Sequence, residues 1–256
     1  MRASKLIIVF VGIVAALSGF GYFWHQKDFP TCTFRYKLTA EVQTPDGMKT
    51  GSSVWEVGYA HRDSAGGRLA ALTLTGQALY IDLGAGKNVL LLLTNRESGR
   101  SGQFDELHGD FSDAKGPLRS FSLPIKLYGL NWDLGQEPKL CHDFEIASAK
   151  GGADIPIENL PTLVTFSDIS DPASLKVVQP DRFESDFGEG YKFIGARIEA
   201  TDAPPTVGLD RVLTWLPEKA PKDRSITVLR TGPLFDVINY YGFTANHTTA
   251  TNGYWP

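Results

Sequence analysis

Carboxylate and imidazole side chains gather in one polar stretch of the chain, from residue 95 to residue 116. The stretch contains Asp105, His108, Asp110 and Asp113, whose oxygen and nitrogen atoms are ligands that divalent cations accept. The spacing does not match the calcium loop of an EF-hand, which needs a glutamate at its twelfth position. We therefore expect a solvated acidic loop with no bound metal or cofactor. A hydrolase or metal-dependent enzyme that uses His108 is the alternative.

Two glycine-containing motifs lack the residues that would make them nucleotide or nucleophile sites. The segment Gly84 to Asn88 contains Gly-Lys, but Ile81 and Asn88 stand where a phosphate-binding loop needs glycine and serine or threonine. We predict a tight turn between two strands there. Gly51-Ser52-Ser53-Val54 lacks the second glycine of a nucleophile elbow. We expect its hydroxyls to face solvent or a bulge.

Helix signals are few. Asp171 precedes Pro172 and predicts a capped helix start, and Asp181 predicts a second capped helix that ends at Gly188. Asp168, close to the first cap, is a weaker candidate for binding a cation. No partner for His61 or His142 can be identified from the sequence.

Most of the chain has strand character. Apolar and polar residues alternate from Phe34 to Val42, and Thr44-Pro45-Asp46-Gly47 then supplies a turn, so a hairpin is predicted. We expect residues from Ala245 onward to fray. Further strands are predicted over Met48 to Ala60, Leu69 to Thr75, Gln77 to Leu83, Val89 to Thr94, Phe121 to Tyr128, Leu140 to Ile146, Tyr191 to Ala200 and Ile226 to Arg230.

The N-terminus carries nineteen uncharged residues, Leu6 to Trp24, behind Arg2 and Lys5. As a helix they would extend about 28 Å, which is close to the apolar thickness of a bilayer. The run ends in bulky aromatic residues rather than a small-residue cleavage site, so we predict an uncleaved anchor. A signal peptide cleaved after Ala16 or Gly19 is the alternative interpretation. The basic flank predicts a cytoplasmic N-terminus and a periplasmic remainder.

The predicted exported part contains both cysteines, Cys32 and Cys141. An even number in an oxidising compartment predicts a disulfide, although two separate buried thiols remain possible. The net charge of the chain is −4, and no run of lysine and arginine forms a basic stripe. We therefore expect no nucleic-acid partner.

Short motifs in both halves of the predicted exported part resemble an uncharacterised group of single-anchor envelope proteins of Gram-negative bacteria. The resemblance implies an envelope location and an intact single unit, and it implies no site residues. The residues that carry it are Arg35 to Val42, Thr44 to Gly47, Gly51 to Val54, Leu163 to Asp168, Asp171 to Ser174, Phe187-Gly188 and Trp215-Leu216.

Together these observations predict an N-terminal anchor over residues 1–28 and a mainly β periplasmic domain over residues 29–256. The domain is expected to be an antiparallel sandwich or barrel-like fold with a few short helices. Its expected partners are the lipid bilayer, through the anchor helix, and an envelope protein. The expected function is that of a binding or envelope-assembly accessory protein of the inner membrane.

Overall fold

The computed structural model describes residues 31–64, 67–93, 120–133, 135–216 and 243–251. The predicted anchor, the acidic loop with Asp105, His108, Asp110 and Asp113, and the predicted strand over residues 226–230 lie outside these ranges. None of the helices in the described ranges is both long and apolar enough to cross a membrane.

The described strands form two sheets in which every neighbouring pair is antiparallel. The strands are β1 (Thr31–Thr44), β2 (Gly47–Ser64), β3 (Gly67–Gln77), β4 (Leu79–Gly84), β5 (Lys87–Leu91), β6 (Ala153–Asp154), β7 (Leu163–Phe166), β8 (Leu175–Val178), β9 (Lys192–Ala200) and β10 (Thr244–Thr251). The first sheet has the order β10-β3-β2-β1-β9-β6, and the second has the order β4-β5-β7-β8. The mainly β prediction is confirmed.

Strand β1 shows why the first sheet forms. Its side chains at even positions from Cys32 to Thr44 are buried, whereas those at odd positions are half-buried or exposed. This period of two places one apolar face on the core. The turn at Pro45 and Asp46 then pairs β1 with β2 as a hairpin, as predicted.

The two central strands of the second sheet, β5 and β7, are buried on both faces. Leu79, Leu83 and Leu91 belong to the core that this sheet shares with the first sheet, while Leu90 and Val164 belong to a second core on the other side. Burial on both faces explains the unbroken apolar run that begins at Val89. The predicted turn between β4 and β5 is confirmed, with positive φ at Gly84, Ala85 and Gly86.

Two predicted strands are helices instead. The segment Phe121 to Tyr128 contains helix α1 (Ser122–Leu127), and the segment Leu140 to Ile146 lies within helix α2 (Glu137–Ser148). In α2, Pro138 occupies the first turn, where a proline is tolerated. Leu140 and Phe144 are four residues apart and are both buried, which is helical spacing.

A third helix, α3 (Phe183–Phe187), ends at Gly188 as predicted. The carboxylate of Asp171 accepts a hydrogen bond from the backbone N–H of Ala173, so it caps a 3-10 turn as predicted. The prediction for Asp181 is wrong, because this residue lies inside the 3-10 turn Pro180–Arg182 and caps nothing.

The C-terminal expectation is also wrong. Residues 245–251 belong to β10, which pairs with β3 rather than fraying, and residues 252–256 lie outside the described ranges. A polar node of Gln77, Trp55 and Ser53 supports this edge of the sheet. The Trp55 indole N–H donates to the Gln77 carbonyl oxygen at 2.8 Å, and the Gln77 side-chain oxygen accepts from the Leu209 N–H at 2.7 Å.

Gly51 lies where β4 crosses β2, and it provides a test of the packing between the two sheets. A Cβ atom at this position would lie 2.6 Å from Ile81 Cγ1 and 2.7 Å from the Tyr80 carbonyl oxygen. We expect Gly51→Ala to lower the free energy of unfolding by about 1–3 kcal/mol, because the backbone of β4 must move. Denaturant unfolding of the purified chain measures this change.

Gly195→Ala is the matched control, because no atom lies within 4 Å of a Cβ at that strand position. It should leave stability unchanged or raise it by about 0.4–1 kcal/mol. Equal effects of the two substitutions would contradict the described contact between the sheets.

Candidate functional site

Helix α2 is covalently attached to the beginning of β1. The structure places the Cys32 and Cys141 sulfur atoms at disulfide distance, with the two Cα atoms 5.4 Å apart. This is the predicted pair. The bond joins residues 109 positions apart, so it constrains a large part of the unfolded chain and is expected to stabilise the fold by several kcal/mol.

Aromatic side chains also pack between this helix and β1. The rings of Phe34 and Phe144 stack with their centroids 3.8 Å apart, and Tyr128 meets Phe144 edge-on. The helix therefore covers the buried face of β1 over its first few residues.

Burial also raises the pKa of Tyr36 and Tyr59 well above the usual tyrosine value. Their hydroxyls donate to the carbonyl oxygens of residues 120 and 121.

A buried polar pair joins the start of α2 to β2. His61 Nδ1 lies 3.1 Å from Glu137 Oε1, and the two side chains are 5% and 0% exposed. The backbone N–H of Gly135 donates to the same oxygen. Within the described part of the chain, Glu137 Oε2 and Trp132 Nε1 are buried without a hydrogen-bond partner. The pair serves as a second attachment of α2, and sequence reasoning identified no partner for His61.

An open strand edge lies beside this helix. Strand β9 stops at Ala200, opposite Tyr36 of β1, and the Thr201 N–H makes one last bond to the Arg35 carbonyl oxygen. The chain then leaves the sheet at Pro204 and Pro205, which have no backbone N–H to donate. Residues 31–34 of β1 consequently have no partner strand on this side among the described residues.

The edge forms one wall of a groove of about 560 Å³. The end of β9 and helix α2 form the other walls, so the groove opens between a strand edge and a helix. Its lining residues are Thr33, Phe34, Arg35, Glu56, Cys141, Phe144, Glu145, Ser148, Ala149, Ala200, Thr201 and Asp202.

The groove has acidic character. Among the described residues that line it, Arg35 is the only basic one. It lies 2.6 Å from Glu56 in an ion pair and also donates to the Asp202 carbonyl oxygen. The Glu145 and Asp202 carboxylates are exposed, and no described residue pairs with either. Two uncompensated negative charges therefore face a solvent-filled groove.

A second cavity, of about 380 Å³, lies between the β4–β5 turn and β8. Lys87 lines it, but the ammonium of this residue already donates to the Phe187 carbonyl oxygen at 2.6 Å and lies over the Tyr191 ring. The lysine of the Gly84 to Asn88 motif therefore makes contacts within the fold. This cavity is a weaker candidate than the groove.

The other residues singled out in the sequence have local roles. Ser53 is fully buried and donates to the Gln77 carbonyl oxygen, so the expectation that the hydroxyls face solvent or a bulge is wrong for Ser53, whereas Ser52 is exposed. Asp168 accepts hydrogen bonds from Ser170, which lower the pKa of this exposed carboxyl. His142 is exposed on α2. No three histidine, cysteine, aspartate or glutamate side chains gather as a metal site within the described ranges.

Comparison of the chain with protein-family models, with curated proteins and with solved structures finds no match. The candidate site is therefore assigned from its geometry alone.

The buried pair gives a direct test of how α2 is attached. Glu137→Ala leaves the His61 ring nitrogen buried without its partner, so we expect the free energy of unfolding to fall by about 1–3 kcal/mol. Thermal or denaturant unfolding of the purified chain measures the loss.

Asp143→Ala is the control on the same helix, because it removes an exposed ion pair with Lys139. Such a pair contributes only about 0.3–0.5 kcal/mol. A loss at residue 137 as small as that at residue 143 would show that the buried pair does not hold the helix.

Proposed function

We propose that this chain is a membrane-tethered periplasmic binding domain, built as a two-sheet sandwich, that engages an envelope partner through the groove beside β1. The observation that carries the proposal is the open strand edge next to a helix fixed by a disulfide. A rigid wall and an unpaired backbone are features of surfaces that bind other chains.

The tether is supported by the sequence. The run Leu6 to Trp24 is long enough to span a bilayer, and its basic flank favours a cytoplasmic N-terminus. Cys32 and Cys141 at disulfide distance agree with an oxidising compartment such as the periplasm. The resemblance to single-anchor envelope proteins supports the same location.

The groove would then lie close to the membrane. Thr33, which lines it, follows Trp24 by only nine residues. Even a fully extended connection would reach about 30 Å, at roughly 3.4 Å per residue. The partner is therefore expected to be a component that approaches the outer surface of the inner membrane.

A photo-crosslinking experiment in cells tests both parts of the proposal. A photoreactive amino acid replaces Ala149, an exposed groove residue directly after α2, in the full-length chain. We expect light to produce a discrete adduct of higher mass. The control replaces Glu158, which is exposed outside the groove, and should give none.

Protease added to cells with a permeabilised outer membrane should degrade both the chain and its adduct, because the domain is periplasmic. Absence of an adduct at residue 149, or equal adducts at both residues, would contradict the binding role. A chain that survives protease until the inner membrane is opened would contradict the location.

A further inference from the structure

We infer that the groove binds an extended peptide of alternating basic and apolar residues, which adds to the first sheet as a strand beside residues 31–35 of β1. This inference rests on the proposed function, because it names the partner class of the same groove. Three observations carry it: the orientation of the β1 backbone, the two faces of the groove and its charge.

The backbone of β1 presents unpaired groups to the groove. In an antiparallel ladder the N–H and C=O groups of alternate residues point to the same side. The Arg35 carbonyl oxygen accepts from the Thr201 N–H on the β9 side. The backbone N–H and C=O groups of Thr33, two residues earlier, must therefore point to the same side. No described residue bonds to the Thr33 N–H. A peptide placed there would extend the sheet past the point where β9 leaves it.

The position of the edge beside α2 limits which chains can pair with it. Exposed strand edges are usually shortened, twisted or covered, because they pair readily with other chains. Here the edge is flanked by α2, and the stacked Phe34 and Phe144 rings lie on the helix side of the groove. Strand addition beside a helix combines backbone hydrogen bonds with pockets for alternate side chains.

The two faces of the groove predict the side-chain pattern of the peptide. A peptide residue opposite Phe34 would point to the helix side and meet aromatic rings. Its neighbours, opposite Thr33 and Arg35, would point to the other face, where Glu56 and Asp202 lie. Alternation of apolar and polar residues therefore fits the groove, since successive strand side chains point to opposite faces.

The charge of the groove selects basic residues for the polar positions. On the face opposite the helix, Asp202 has no cationic partner among the described residues, and Arg35 is already neutralised by Glu56. Lysine or arginine from the peptide would supply the missing charge. The same carboxylates disfavour nucleic acid and anionic lipid headgroups.

The test measures binding of a synthetic hexapeptide of alternating lysine and valine to the full chain in detergent. We expect saturable binding that weakens as salt is raised. An analogue methylated at alternate backbone nitrogens should bind at least about tenfold more weakly, because it cannot donate along one edge. An analogue with glutamate in place of lysine should not bind.

Protein variants test the same interaction from the other side. Asp202→Lys should weaken binding of the lysine peptide by about tenfold or more and should permit binding of the glutamate peptide. Glu158→Lys makes the same charge change outside the groove and should have no effect. Because the methylated analogue alters only the ligand, its result does not depend on the folding of any variant.

No saturable binding, or binding that backbone methylation and Asp202→Lys leave unchanged, would overturn the inference. If the photo-crosslink at residue 149 persists while the lysine peptide does not bind, only the partner class is wrong. If both are absent, the proposed binding role fails as well.

Discussion

The attachment of α2 to the first residues of β1 is the interaction on which the candidate site depends. The Cys32–Cys141 bond and the stacked rings of Phe34 and Phe144 act within this contact, and the buried His61–Glu137 pair joins the same helix to β2. Each of them joins groups that are far apart in the sequence. Together they hold a helix beside a strand edge, which gives the groove one rigid wall.

The groove exists because the first sheet is incomplete at one end. Strand β9 covers the β1 edge up to Tyr36, and the proline pair after Asp202 then directs the chain out of the sheet. The backbone N–H of Thr33 is left without a partner in the described part of the chain. Exposed strand edges pair readily with other chains, so proteins usually cover them. A binding role would explain why this edge is left open.

Local patterns in the sequence predicted the local structure. The alternation along β1 and the turn chemistry at Gly47 and Gly84 were sufficient, because both depend on a few neighbouring residues. Helices α1 and α2 were mistaken for strands, since short apolar runs fit both periods and tertiary packing decides between them. Pro138 followed by Leu140 and Phe144 was the missed helix signal. The groove could not be predicted, because it depends on where β9 ends relative to β1.

Amide hydrogen exchange at single-residue resolution on the full chain tests the open edge most directly. The Thr33 and Lys37 amides point to the same side of β1, but only Lys37 faces a residue of β9, Glu199. The Phe34 amide points to the opposite side of β1, where Phe34 pairs with Val57 of β2. If the edge is open, exchange is fast at Thr33 and slow at Phe34 and Lys37. Exchange at Thr33 as slow as at Lys37 would show that another segment covers the edge and that no open edge exists.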